Sequence, residues 1–349
     1  MEMTATRNKR IVSMDVLKCF AIVCVLLGHA TEQTSADIFW DHPLWATIYT
    51  FHMPLFMFLC GYFFHSSLRG TFGQMLVKKM RQLGVPSITA FALMTAIMWL
   101  TGNHAIADLC ELSWMGFINA VWFLKCLFLC YIIIFPICRL SKSELWASII
   151  ASVAINLIPE TDILNINFML PMFCLGMVCN PKACGLNDWL TAHRRLGIGM
   201  SATFFLLMLP FWSGRLTVYM EPTKIINWNT MEVDWYSLGI TIYRLAIGMA
   251  GTLMFYLLAE PFCRWLGKQE KGAWWTDLFC RIGGATLGIY ILQSFLLEIC
   301  IRMMNIYIPL PWSYLTSPII ALIELAACFT LVIVLRRNSI LKFLLLGEK

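Results

Sequence analysis

Apolar runs of about twenty residues recur from one end of the chain to the other, separated by short polar segments. At about 1.5 Å rise per residue, twenty residues cover roughly 30 Å, the thickness of a hydrocarbon core. The pattern predicts an all-α, polytopic membrane protein with about ten transmembrane helices. They lie near 12–31, 43–64, 84–101, 119–138, 145–158, 167–180, 196–212, 236–259, 283–301 and 315–335. Segments 145–158 and 167–180 are the shortest, and one re-entrant hairpin would suit them equally. The first run reaches full spanning length before Gly28, His29 and Ala30, so it reads as a retained helix and not a cleaved signal. No linker, repeat or soluble insertion interrupts the series, which makes residues 1–349 a single membrane domain.

Hydrophobic residues make up 59% of the chain and charged ones 13%, a balance that excludes a soluble core. The connecting segments alternate in charge. Arg7, Lys9 and Arg10 precede the first span, and Glu32 and Asp41 follow it. Arg69, Lys78, Lys79 and Arg81 follow the second span, and Asp108 and Glu111 the third. Of the 26 lysines and arginines, twenty fall on one side, three on the other (Arg215, Lys224, Arg302) and three inside spans (Lys18, Lys125, Arg244). The positive-inside rule then puts both termini in the cytoplasm. The net charge of +6 follows from this topology, and its spread over several short segments excludes a nucleic-acid surface. Nearly all of the 14 cysteines lie in spans or on the cytoplasmic side, Cys110 being the exception, so no disulfide framework is expected.

Ionisable groups inside spans are costly in lipid and mark functional positions by default. The first span carries Asp15, Lys18 and His29 among valine, leucine, isoleucine and alanine. The eleven steps from Lys18 to His29 make three turns plus about 20°, so both side chains share one face, roughly 16 Å apart along the axis. His52 enters the second span at the same end as His29, beside Pro54, which removes a backbone donor and loosens the helix. A lone histidine in a span is usually a helix-bridging group. Two at one depth, one of them sharing a face with a lysine, favour a functional pair.

Other candidates carry competing readings. Trp122 opens the fourth span as an interfacial anchor, and Lys125, one turn further in, either snorkels or lines a cavity. Arg244 lies deep in the eighth span, where a structural ion pair with Glu298 or Glu324 competes equally with a functional role. The ninth span has small residues at packing spacing around Gly283 and Gly288, with Tyr290 and Gln293 as candidate cavity-lining positions. The loop 213–235, with Tyr219, Trp228, Trp235, Asn227 and Asn229, suits a sugar ring but suits an interfacial belt better. Arg264 to Arg281, with Trp265, Trp274 and Trp275, would hold a nucleotide or, more simply, lie on anionic lipid. No His-x-x-x-His, Cys-x-x-Cys, Gly-Lys-Ser/Thr phosphate loop or Gly-x-Ser-x-Gly is present, so no metal site and no ATP-driven pump is expected.

Read together, four stretches resemble the acyltransferase 3 family of integral-membrane acyltransferases over nearly the whole chain. They are Met14-Asp15-Val16-Leu17-Lys18 to Gly28-His29-Ala30, Phe51-His52-Met53-Pro54-Leu55-Phe56 with Gly61-Tyr62, Trp122-Phe123-Leu124, and Thr286-Leu287-Gly288-Ile289-Tyr290. The family pattern of arginine or lysine, ten residues, then histidine is met by Lys18 and His29. The resemblance implies transfer of an acyl group, commonly acetyl, from cytoplasmic acyl-coenzyme A to a carbohydrate or lipid-linked saccharide at the outer side of the inner membrane. Acetyl-coenzyme A is then the co-substrate, with a saccharide or glycolipid acceptor and membrane lipid as partners and no metal. Many members have a histidine where Gln293 stands, and with a short basic tail ending at Lys349 the chain looks like the family's stand-alone type, without a hydrolase-like extension. In this reading Lys18 neutralises negative charge on the donor and Asp15 orients its ammonium. His29 is the general base, and His52 positions the acceptor or the thioester oxygen. Membrane physics alone also fits a transporter or flippase for a saccharide or lipid, against which stands the lack of two related halves.

Overall fold

Backbone in hydrocarbon has to satisfy its own hydrogen bonds, and the apolar runs accordingly fold as helices. The computed structural model describes residues 11–102, 112–158, 163–219, 221, 223–296 and 307–348. Arg7, Lys9, Arg10, Asp108, Cys110, Glu111, Glu298, Arg302 and Lys349, singled out above, lie outside the described residues. The chain begins with α1 (Val12–Thr34) and, after a 3-10 turn at Ala36–Asp41, α2 (Pro43–Tyr62). Next comes α3 (Phe72–Thr101), whose start is fixed by a reciprocal cap between Thr71 and Gln74. Pro86 has no N–H to offer the Gln82 carbonyl four residues back, and α3 loosens into a π turn at Met80–Gly84.

The short α4 (Trp114–Asn119) leads into α5 (Trp122–Ser141), followed by α6 (Glu144–Leu157) and α7 (Ile166–Val178). Then come α8 (Leu186–Ala192) and α9 (Arg194–Met208), and a loop with a two-residue antiparallel pairing of Ile226–Asn227 with Glu232–Val233. The Asp234 carboxylate caps α10 (Trp235–Leu266) by accepting from the Tyr236 and Ser237 N–H groups. The remaining helices are α11 (Gly272–Gly283), α12 (Thr286–Gln293), α13 (Leu310–Leu335) and α14 (Ser339–Leu346).

Six helices among the described residues are long and apolar enough to cross a bilayer, and the bent pair α11 and α12 makes a seventh if counted as one span. The protein is therefore an all-α, multi-pass membrane protein. The expected ten came from also counting 145–158, 167–180 and 196–212. These fold as α6, α7 and α9, of 14, 13 and 15 residues. At about 1.5 Å per residue they reach only roughly 20–23 Å, short of a full crossing. The ninth expected span is broken: α11 and α12 meet at 60° across Gly284 and Ala285.

α1 and α2 form the centre. α1 packs against α2, α10, α11, α12 and α13, and α2 packs against α1, α7 and α10. In α2, 67% of the apolar window is buried inside the protein, against 22% in α13, which leaves α13 largely to lipid. The α2 and α7 backbones touch at two reciprocal points. A methyl group on Gly61 would overlap the Phe173 carbonyl, and one on Gly176 the Phe58 carbonyl, so only glycine permits this approach. We call the His29 end of α1 the outer end and the Lys18 end the inner end.

At the outer end the fully buried His42, just before α2, ties that helix to α13. Ser313 donates its hydroxyl proton to the Leu310 carbonyl, so its oxygen accepts from Nε2–H of His42 at 2.9 Å. Burial holds the His42 pKa below its ordinary 6.5. The folded state therefore resists protonation that the unfolded chain accepts, and stability present above 6.5 is lost as pH falls below it. The melting temperature of the purified protein should drop on acidification from pH 7.5 to 5.5, and His42→Gln should flatten that dependence. An unchanged pH slope in His42→Gln would contradict this assignment.

Candidate functional site

Two cavities lie in the bundle, and the polar face of α1 opens onto the outer of them through His29 and Glu32. The outer one is a chamber of about 200 Å³ whose wall includes His29, Glu32, His52, Tyr49, Trp122 and Tyr219. The inner one is a larger cavity of about 550 Å³, apolar along Phe56, Phe123 and Leu127 and polar at Arg81, Gln82 and Glu348. Met53 of α2 and Tyr290 of α12 belong to both walls and form the waist between them. The polar chamber and the largely apolar cavity are thus neighbours, set apart by these two side chains.

The sequence places the chamber's chemistry by helical spacing. α1 runs one turn past its expected end at residue 31, which carries Glu32 three residues beyond His29 on the same face. Glu32 Oε2 lies 3.4 Å from His29 Nδ1 and accepts from the Tyr49 hydroxyl at 2.9 Å. A carboxylate facing Nδ1 favours the tautomer whose Nε2 carries the basic lone pair, the arrangement a general base needs. His52, 3% exposed, donates Nδ1–H to the Ile48 carbonyl at 2.8 Å, so its Nε2 is likewise the accepting nitrogen. The Tyr49 ring stacks on Trp45, with centroids 3.8 Å apart, and lies 4.5 Å from the His52 ring. Trp40, Trp45, Trp122 and Tyr219 give the chamber an aromatic wall of the kind that takes the C–H face of a ring.

At the inner end, Lys18 pairs with Asp15 at 3.2 Å, as their spacing predicts, and its ammonium lies 4.7 Å from the centre of the Phe63 ring. Lys18 is not part of the inner wall, but it and Lys79 are close enough to Cys60, which is, to act on it electrostatically. The waist is held by the Tyr290 oxygen, which accepts from the Phe123 N–H at 3.4 Å. Gln293 is fully buried and donates to the Ser294 hydroxyl at 3.1 Å. Ser294 lines the chamber and Gln293 does not.

Two cations expected as candidate cavity residues hold backbone, and one of them, Arg244, also lines a small space beside the chamber together with Tyr49, Met53 and Tyr219. Lys125 donates to the Ala120 carbonyl and lies over the Phe117 ring. That carbonyl precedes Val121, whose φ of 43° is a left-handed conformation that a β-branched residue adopts only under constraint, and Val121 in turn presents Trp122 to the chamber. Arg244, 2% exposed, donates to the carbonyls of Leu216, Thr217 and Glu221. It thereby staples the loop that carries Tyr219 onto α10. The expected partner Glu324 is also buried, on α13, whereas Arg244 spends its guanidinium on these carbonyls.

Sequence reading missed Glu32, Tyr49, Met53, Arg81 and Glu348. Glu32 had a usable signal in its spacing from His29. The inner mouth had none, because Arg81 and Glu348 meet only through folding. Arg244→Gln should speed chymotryptic cleavage of native protein within 213–235 several-fold, with Arg244→Lys keeping part of the protection. Equal cleavage in Arg244→Gln and the parent would contradict the staple.

Comparison with known proteins adds a family. Residues 11–337 match the family described as an acyltransferase domain. Two nodulation proteins NolL are similar. The one from Mesorhizobium japonicum is 28% identical over 185 residues, covering 50% of this chain and 49% of its own. The one from Sinorhizobium fredii is 27% identical over 184 residues, covering 50% of each. The chain thus spans about half the length of the curated relatives it matches. No solved structure matches.

Proposed function

The chain belongs to the acyltransferase-domain family, and from that premise we propose that it moves an acetyl or similar acyl group from acyl-coenzyme A to a saccharide hydroxyl across the inner membrane. Both termini and the inner cavity mouth face the cytoplasm in this reading, and the chamber faces outward. The observation that carries it is the pair of cavities sharing Met53 and Tyr290. Coenzyme A enters at the mouth beside Arg81, its phosphates staying out of the apolar bore because charge is costly there. Its thin pantetheine arm fills the space along Phe56, Phe123 and Leu127 and brings the thioester to the waist. Lys18 and Lys79 make the inner end positive for a polyanionic donor without touching it.

The acceptor occupies the aromatic chamber. Its hydroxyl proton passes to Nε2 of His29 as the oxygen attacks the thioester carbonyl. The carbon–sulfur bond then breaks, and the proton goes on to the departing thiolate, leaving an ester and free coenzyme A. Glu32, held by Tyr49, fixes the His29 tautomer and stabilises the imidazolium. His52 orients the acceptor, and the Tyr290 phenol lies nearest the thioester oxygen.

Purified protein given acetyl-coenzyme A and candidate glycans should release free thiol only with a competent acceptor. His29→Ala should abolish release, and Glu32→Gln should lower kcat about 10²-fold, with donor affinity retained in both. Lys18→Ala should act mainly on the KM for the donor, and Lys18→Arg should keep substantial activity. Turnover by His29→Ala would end this mechanism.

A further inference from the structure

The inner cavity has a wall that the family match does not cover. The match ends at residue 337, and Leu346, Gly347 and Glu348 line the inner mouth opposite Arg81 and Gln82. α14 is started by the Asn338 side chain, which accepts from the Ile340 and Leu341 N–H groups, and it packs against α3. Its end turns at Gly347, with φ of 62°. There a methyl group would come within 2.9 Å of the Arg81 and 2.7 Å of the Gln82 carbonyl oxygen, so the backbone lies directly on the π turn of α3. The turn delivers the Glu348 carboxylate to Arg336. Nε of Arg336 is 3.1 Å from both carboxylate oxygens, and Nη2 is 2.6 Å from Oε1. The same Nη2 donates to the Gly284 carbonyl at 2.9 Å, at the bend between α11 and α12.

An arginine gripping a carboxylate in this forked way presents the geometry it would present to a phosphate. Both side chains are about one-third exposed, 34% for Arg336 and 38% for Glu348, so solvent and a solute anion can reach the pair. Nε of Arg81, across the mouth, is buried with no hydrogen-bond partner among the described residues. An anion at the mouth would therefore find one unspent donor on the wall and, behind Glu348, Arg336, which is not itself a wall residue and is reached when that carboxylate moves aside. A fixed carboxylate there would otherwise repel any polyanionic ligand, and a pair that opens removes that obstacle.

We propose that Arg336 binds a phosphate group of the acyl donor and that Glu348 holds the same site while the donor is absent. The proposal rests on the acyl-coenzyme A reading above. It makes Glu348 an internal competitor and Arg336 an affinity-setting residue outside the chemistry.

The test is calorimetric titration of the full-length protein in detergent with coenzyme A and, separately, with phosphate-free pantetheine. Glu348→Gln should bind coenzyme A about tenfold more tightly, the equivalent of one charge-assisted contact, and Arg336→Gln about tenfold more weakly. Pantetheine affinity should be the same in all three proteins. Equal coenzyme A affinity in Glu348→Gln and the parent overturns the proposal and leaves the donor reading standing. Parallel loss of both ligands in Glu348→Gln also overturns it, by showing a purely structural strap. No coenzyme A binding by either protein overturns this proposal and the donor reading together. Should Arg336→Gln not fold, Glu348→Gln alone decides.

Discussion

An ionisable side chain at membrane depth has to be enclosed by protein or water, and α1 carries four of them, Asp15, Lys18, His29 and Glu32. That requirement puts α1 at the centre, wrapped by α2, α10, α11, α12 and α13, with no broad face left for lipid. Asp15 and Lys18 neutralise each other at one end, and Glu32 faces His29 at the other. Between them the helix is apolar and close-packed through Ile22, Val25 and Leu26. The inner cavity accordingly lies off α1, lined from α2, α3, α5, α12 and the end of α14, and shares Met53 and Tyr290 with the outer chamber.

The second constraint is the backbone of the outer segments. Helix ends and loops leave carbonyls without helical partners, and these must be met when they approach the bundle. Lys125 and Arg244 meet them with charge-assisted bonds to Ala120, Leu216, Thr217 and Glu221. Each clamp stands directly behind an aromatic wall residue, Trp122 in one case and Tyr219 in the other. The chamber owes its shape to cations that do not enter it.

What could be read from the sequence follows from what is local. Helical period and residue chemistry were enough to find the all-α membrane class, the pairing of Asp15 with Lys18, and the nearness of His29 to His52, which line one chamber. Helix length was less legible: α1 runs on to Thr34, and that extra turn turns Glu32 from a loop charge into a neighbour of the histidine. Composition also marked out α6, α7 and α9 as apolar helices but not their length, 14, 13 and 15 residues. That Arg244 and Lys125 hold carbonyls was not legible, because an intramembrane cation says nothing about whether its partner is a ligand or a carbonyl, although Arg244 does line a small space beside the chamber. The waist and the inner mouth were invisible, since Met53 meets Tyr290, and Arg81 meets Glu348, across more than two hundred residues of chain.

The proposed function depends on a donor path through both cavities that brings the reactive carbonyl to Met53 and Tyr290. A cryo-electron-microscopy map of the protein with a non-hydrolysable acetyl-coenzyme A analogue tests this most directly. The account predicts the nucleotide beside Arg81, the pantetheine arm along Phe56 and Leu127, and the carbonyl between Met53 and Tyr290. A map with the nucleotide at the outer end beside Trp40, or with the analogue outside both cavities, would contradict it.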